Sequence, residues 1–282
     1  MALYTTTKQA VVPPGRRVVG LMEAFLVSKK IGAIILLGSA LLMLVIGLAL
    51  SPIPQPQSYH HFADQRAWLG INNAWNVLSN LPFALAGMWG LFLLFFHSKI
   101  QFIENRERWF WIGISLGLIL VALGSSYYHL APDNSRLVWD RLPITLVFMS
   151  FVAALISDRI NSHLAFWLWP FLLAIGLVSV LQWYVSELHG AGDLRLYAAV
   201  QAYTGLVAWV MLLLPSHYTR AWDIVIIVLF YGLAKIFELY DHPIYQFSGG
   251  IISGHTLKHV AAALASFWLI RMMWKRRILY SP

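Results

Sequence analysis

His255 and His259 stand four residues apart in SGHTLKHVAAA, Ser253 to Ala263, at the mouth of a long apolar run. On a helix, positions i and i+4 share a face about 5 to 6 Å apart, so both imidazoles can reach one metal ion if a third ligand arrives from elsewhere. The chain has no cysteine, which excludes thiolate ligands, disulfides and cysteine nucleophiles. Any metal must be held by His, Asp or Glu. A second stretch, GSSYYHLAPDN, repeats the geometry with Ser125 and His129 before Pro132, Asp133 and Asn134 turn the chain. His129 is the natural third ligand. The segment WDRLP then sets Asp140 at the first turn of the next helix.

Three neutral imidazoles with an open fourth position form the catalytic type of Zn2+ site, where a water acidifies to about pKa 7. Asp140 is placed to accept a proton and return it to a leaving amine, as general base and then acid. Ser125 is placed to donate a hydrogen bond to the oxyanion of a tetrahedral intermediate.

The elements that must position these groups are membrane spans. Of 282 residues, 59% are hydrophobic and only 11% charged, against about 25% in ordinary soluble domains. The net charge of +8 lies in short Lys and Arg clusters between apolar runs, which are topology signals and not a nucleic-acid surface. Apolar runs at about Ile31–Leu50, Asn76–Phe96, Trp109–Leu130, Leu142–Ile156, Leu164–Tyr184, Leu194–Leu214, Trp222–Leu239 and His255–Trp274 predict eight spans. The first is too long for the h-region of a removable signal peptide and is read as a retained helix. The run from Leu142 is short, so its helix is expected to start near Trp139 or Asp140.

Alternate loops carry fourteen Lys and Arg on one side (Lys8, Arg16, Arg17, Lys29, Lys30, Lys99, Arg106, Arg108, Arg159, Arg220, Arg271, Lys275, Arg276, Arg277) and four on the other (Arg66, Arg136, Arg141, Arg195). That bias predicts both termini in the cytoplasm and the histidine layer, with Asn76, Ser79 and Asn80 at the same depth, towards the outer side. Ionisable groups within spans are costly and usually functional, which favours a metal site over an incidental histidine pair.

Ser125 and His129, Asp140 eleven residues on, the NVLSN stretch Asn76–Asn80, and His255 with His259 in the last helix together resemble the signature of the alkaline ceramidase family. They also resemble the wider superfamily of seven-helix metal hydrolases that includes the progestin and adiponectin receptors. The resemblance covers about residues 62 to 275. It implies zinc on His129, His255 and His259, with Ser125 and Asp140 assisting cleavage of a long-chain amide, ceramide, to sphingoid base and fatty acid. The implied fold is an all-α membrane protein: a basic cytoplasmic tail (1–30), an extra N-terminal transmembrane helix (31–50), an outer loop (51–75), a seven-transmembrane-helix hydrolase core (76–275) and a second cytoplasmic tail (276–282). Eukaryotic members carry an acid-rich calcium segment before the first core helix. Here Asn73 stands where that family has a glutamate, and Asp64 is the only acid between Ser51 and Asn76, which argues against calcium.

Other features have plainer readings. Lys258 is expected to snorkel or pack. Glu238, Asp241 and His242 either hydrogen-bond the imidazoles or end a helix in water. Glu187, His189 and Asp193 read as solvated loop charge, His60 and His61 as an ordinary loop with covering the site or contacting headgroups as the alternative, and His97, His163 and His217 as interfacial groups. Gly249 and Gly250 form a turn. A metal-containing lipid receptor or sensor with little turnover is the alternative to an amidase, favoured if a fourth protein ligand closes the site. A seven-helix photoreceptor or transporter, with Lys258 as its retinal-attachment or ion-coupling residue, is a further alternative; bis-histidine haem is disfavoured because the histidines share one layer.

Overall fold

The computed structural model describes residues 14–279, with side chains from Lys30 onward. Lys8 of the basic tail and residues 280–282 lie outside the described residues, as do the side chains of Arg16, Arg17 and Lys29. Without water to satisfy backbone groups in lipid, each apolar run closes its own hydrogen bonds as a helix. The helices are α1 (Pro14–Ala49), α2 (Ala74–Leu78), α3 (Leu81–Phe96), α4 (Glu107–Leu130), α5 (Asn134–Arg159), α6 (Ser162–Leu188), α7 (Arg195–Leu212), α8 (Asp223–Leu239), α9 (Asp241–Phe247) and α10 (Gly254–Lys275). The protein is an all-α membrane protein. Five stretches are long and apolar enough to cross a bilayer: Lys30–Ala49, Ala74–Phe96, Glu107–Leu130, Asn134–Arg159 and Ser162–Leu188. Helices α7, α8 and α10 complete the bundle, and α1 lies outside it against α7 with Ile34, Leu37 and Leu48 exposed.

Two elements differ from expectation, each for a local reason. The second span breaks after Leu78 because Pro82 has no N–H for the Leu78 carbonyl, so α2 ends there and α3 restarts at Leu81. Helix α5 begins at Asn134, not near Trp139, because the Asp133 carboxylate accepts the Arg136 N–H at 2.7 Å and caps it. Its polar first turn masks that start in hydropathy. Asp140 therefore lies in the second turn of α5, not the first.

Helix α4 packs on α3 and α5, and α8 on α10. The α4–α5 crossing is built around Pro143, which leaves the Trp139 carbonyl without its helical donor. Gly124 of α4 sits against that oxygen, where any Cβ would overlap it. This close approach brings Ser125 beside Asp140. At the far end of the bundle His217 is buried, and its backbone N–H donates to Asp158 Oδ1 at 3.0 Å.

Candidate metal centre

The SGH motif works first as a helix start. Ser253 Oγ accepts the Thr256 N–H at 3.0 Å, a cap of the kind that stabilises a helix by about 1 kcal/mol. Gly254 lets α10 begin tight against the α8–α9 corner, because a Cβ there would stand 2.7 Å from Asp241 Cα. The His255 N–H donates to Asp241 Oδ1 at 2.7 Å, and Asp241 Oδ2 accepts the Ala63 N–H at 2.9 Å. One carboxylate thus ties the helix start to the outer loop.

His255 and His259, from α10, meet His129 from the last turn of α4. Each is at most 4% exposed, and the three ligand nitrogens lie within 4.8 Å of one another. His129 Nε2 and His255 Nε2 are 3.3 Å apart. Nitrogens bound at about 2.0 to 2.1 Å to one tetrahedral zinc stand about 3.3 to 3.4 Å apart, so this pair matches the spacing such an ion requires. Three buried imidazoles of this kind could hold a metal ion, and the donor set is compatible with zinc.

Ser79 orients the third ring. Its hydroxyl has one proton, which it donates to the Asn76 carbonyl at 3.1 Å. With that proton on the Asn76 carbonyl, the 2.7 Å contact between Ser79 Oγ and His259 Nδ1 is donated by the imidazole, the tautomer that leaves the Nε2 lone pair for a metal. The break between α2 and α3 is what turns Ser79 towards His259. Replacing Ser79 with Ala is expected to weaken metal affinity by about 10- to 100-fold, measured by competition with a chelator. Unchanged affinity would show that the ring needs no such partner.

The flanking residues serve the same layer. Asn73, in the left-handed conformation that Asn tolerates, donates from Nδ2 to the His129 carbonyl at 2.9 Å. Asn76 Oδ1 accepts the Thr256 hydroxyl at 3.1 Å and so pins α2 to α10. Phe62 roofs the site, its ring 4.6 Å from that of His129 and 4.4 Å from that of His255.

Ser125, Asp140 and His259 line one cavity of about 360 Å³. Its polar end holds Tyr59, Arg141, Glu238 and Lys258, and its other end is walled by apolar groups such as Phe151, Ile227 and Leu269. Along α10 it extends from His259 to Leu269, about 15 Å at 1.5 Å per residue. Ser125 lies at hydrogen-bonding reach of the Asp140 carboxylate. Burial, and then the Glu238 carboxylate, push the Tyr59 hydroxyl well above its ordinary pKa; it stays protonated and donates to Glu238 Oε1 at 3.1 Å.

The family model described as Ceramidase matches residues 69–242. The chain belongs to the ceramidase family. No curated protein sequence matches it. The matched residues take in Ser125, His129 and Asp140; His255 and His259 lie beyond them and join the site through the fold. Membership makes the protein a ceramidase-like hydrolase of amides with a lipid substrate such as ceramide.

In this protein several polar groups have roles other than those expected. Neither Glu238, Asp241 nor His242 touches an imidazole of the triad: Asp241 holds backbone N–H groups, His242 Nε2 meets the His61 carbonyl at 3.1 Å, and Glu238 pairs with Lys258 and Lys235. Lys258 is thus ion-paired within the cavity and not snorkelling. The loop before α2 is exposed along much of its length but anchored inward: Gln55, Phe62 and Asp64 are buried in it, and His60 bridges Tyr128 Oη and Asn134 Oδ1 at 2.9 Å each. Glu187 is likewise engaged, accepting the Gln55 N–H at 2.6 Å and Trp183 Nε1–H at 3.2 Å. The Asp64 carboxylate is committed to Arg66, at 2.6 Å. By sequence Ser79 is placed only at the depth of the layer and in the NVLSN stretch, Asn73 bears only on calcium, and Phe62 has no part; Pro82, which breaks the span beside Ser79, carries a further signal.

Proposed function

We propose that the protein is an intramembrane zinc-dependent amidase that cleaves a long-chain N-acyl lipid, with ceramide as the reference substrate. The observation that carries this reading is the buried triad of imidazoles, whose His259 lines, with Ser125 and Asp140, a cavity that continues between apolar walls. Such a shape suits a lipid whose amide lies at the triad while its acyl tail stays in hydrocarbon. His129, His255 and His259 would hold the metal. When bound, zinc supplies Lewis acidity and an activated water to the site.

The chain's own groups do the rest. Asp140 accepts the proton of the attacking water on a carboxylate oxygen and hands it to the leaving nitrogen, so the amine departs neutral. Ser125 has a single hydroxyl proton. While Asp140 is ionised that proton stabilises the carboxylate; once Asp140 takes up a proton, Ser125 is freed to donate to the oxyanion of the tetrahedral intermediate. Phe62 and the loop before α2 exclude bulk water from above. The excess of Lys and Arg at the other end of the bundle supports an orientation with that end and both termini cytoplasmic and the triad on the outer side. Helix α1 is then an added span outside the seven-helix core.

Metal analysis of the purified protein, combined with mass-spectrometric detection of products from a panel of N-acyl lipids, tests the reading. One zinc per chain with release of free fatty acid is expected. Zinc without turnover on any member would favour a lipid sensor.

A further inference from the structure

Arg141 follows Asp140 in the WDRLP segment and counts, by sequence, as an outer-loop topology charge. It is instead 5% exposed and lines the cavity that holds Asp140 and His259. Its guanidinium is boxed by aromatic rings, 4.1 Å from the centroid of Trp183, 4.7 Å from Tyr197 and 5.8 Å from Tyr59. Nη2 donates to Gln55 Oε1 at 2.5 Å, and Gln55 is itself held by Glu187. Nη1 is buried and has no hydrogen-bond partner among the described residues.

No carboxylate meets its charge in a contact ion pair among the described residues, although Asp140 is near enough to interact with it electrostatically. A buried guanidinium normally faces a carboxylate, because rings and an amide offer it only partial compensation. The acids lining the cavity are Asp140 and Glu238. Glu238 is taken by Lys235, at 2.8 Å, and by Lys258. Among the described residues Asp140 forms no ion pair with Arg141, and it is reserved for proton transfer. The cavity thus carries Arg141, Lys235 and Lys258 against two carboxylates. Tyr59, Trp183 and Tyr197 face the guanidinium while Phe62 and Tyr128 face the triad, and the five rings pack in one cluster, so the guanidinium adjoins the reacting centre across a shared aromatic wall.

The geometry points to Arg141 as an oxyanion subsite for the substrate headgroup, which makes the favoured substrate an N-acyl lipid whose amine side carries a carboxylate or phosphate. This rests on the amidase reading of the same site. The amide sits at the triad, the acyl tail runs along α10 towards Leu269, and the headgroup oxyanion takes the free Nη1–H in a charge-assisted bond. Neutral ceramide can offer that donor only hydroxyl oxygens.

The test is binding of four dodecanoyl probes to the full-length, metal-loaded protein, with products scored by mass spectrometry in the same samples. The probes are N-dodecanoylglycine, N-dodecanoyl-aminoethyl phosphate, neutral N-dodecanoylethanolamine and dodecanoate. The two anionic amides are expected to bind on the order of 10- to 100-fold tighter than the neutral amide. Arg141→Gln erases that preference, and Arg141→Lys keeps part of it. Equal binding of charged and neutral amides by the unsubstituted protein overturns the subsite, as does an Arg141→Gln chain that loses both equally, since Arg141 would then only brace Gln55. If dodecanoate gains as much from Arg141 as the amides do, the group held is the product carboxylate and the headgroup assignment fails. Should Arg141→Gln not fold, the Arg141→Lys chain and the preference of the unsubstituted protein still decide the matter. Selective binding with no hydrolysis of any amide would leave the subsite standing and reject the amidase.

Discussion

A His255→Ala chain is expected to purify with far less than one zinc per molecule and to lose measurable hydrolysis of N-acyl lipid. The loss should not be a folding effect. The start of α10 is held by the Ser253 cap and by the His255 backbone N–H on Asp241, and both survive the substitution. What disappears is the partner standing 3.3 Å from His129 Nε2. Two imidazoles remain, one fewer than catalytic zinc sites use. Chelator treatment of the unsubstituted protein should reproduce the loss, and added zinc should restore activity there but not in the variant. A thermal midpoint in detergent separates metal loss from unfolding. A His255→Ala chain with full zinc and full hydrolysis would remove the metal role from the triad.

The parts of this site that could be read from sequence are those encoded over short range. The pair His255 and His259, the pair Ser125 and His129, and the apolar runs that carry them depend only on helical periodicity, and all three imidazoles do converge. Boundaries were harder, because Asp133 caps α5 through a polar turn that no hydropathy run includes. Hardest was the loop before α2. Its polar composition suggests solvent, yet several of its residues are held by partners far along the chain: Ala63 by Asp241, Gln55 by Arg141 and Glu187, and His60 by Tyr128 and Asn134. Such contacts have no local periodicity. For the same reason Arg141 looks like a loop charge in sequence and sits inside the bundle in the fold.

Asp140→Asn should separate the chemistry from the metal. Asn fills nearly the same volume and still offers Oδ1 to Ser125, so the α4–α5 crossing at Gly124 and Pro143 is undisturbed. His129, His255 and His259 are untouched, and zinc content is expected to equal that of the unsubstituted protein. An amide oxygen cannot take up a proton at neutral pH, so neither activation of water nor protonation of the leaving amine is assisted. General acid–base groups contribute about 10²- to 10⁴-fold, and kcat should fall by that factor with KM little changed. The contrast with His255→Ala is diagnostic: one variant loses metal and turnover together, the other turnover alone. If Asp140→Asn lost zinc as well, Asp140 would be a fourth ligand, the site would be closed, and the balance would move to a sensor. If it kept both zinc and rate, the proton would have to travel by another group, and Lys258, already ion-paired to Glu238 within the same cavity, is poorly placed to accept one.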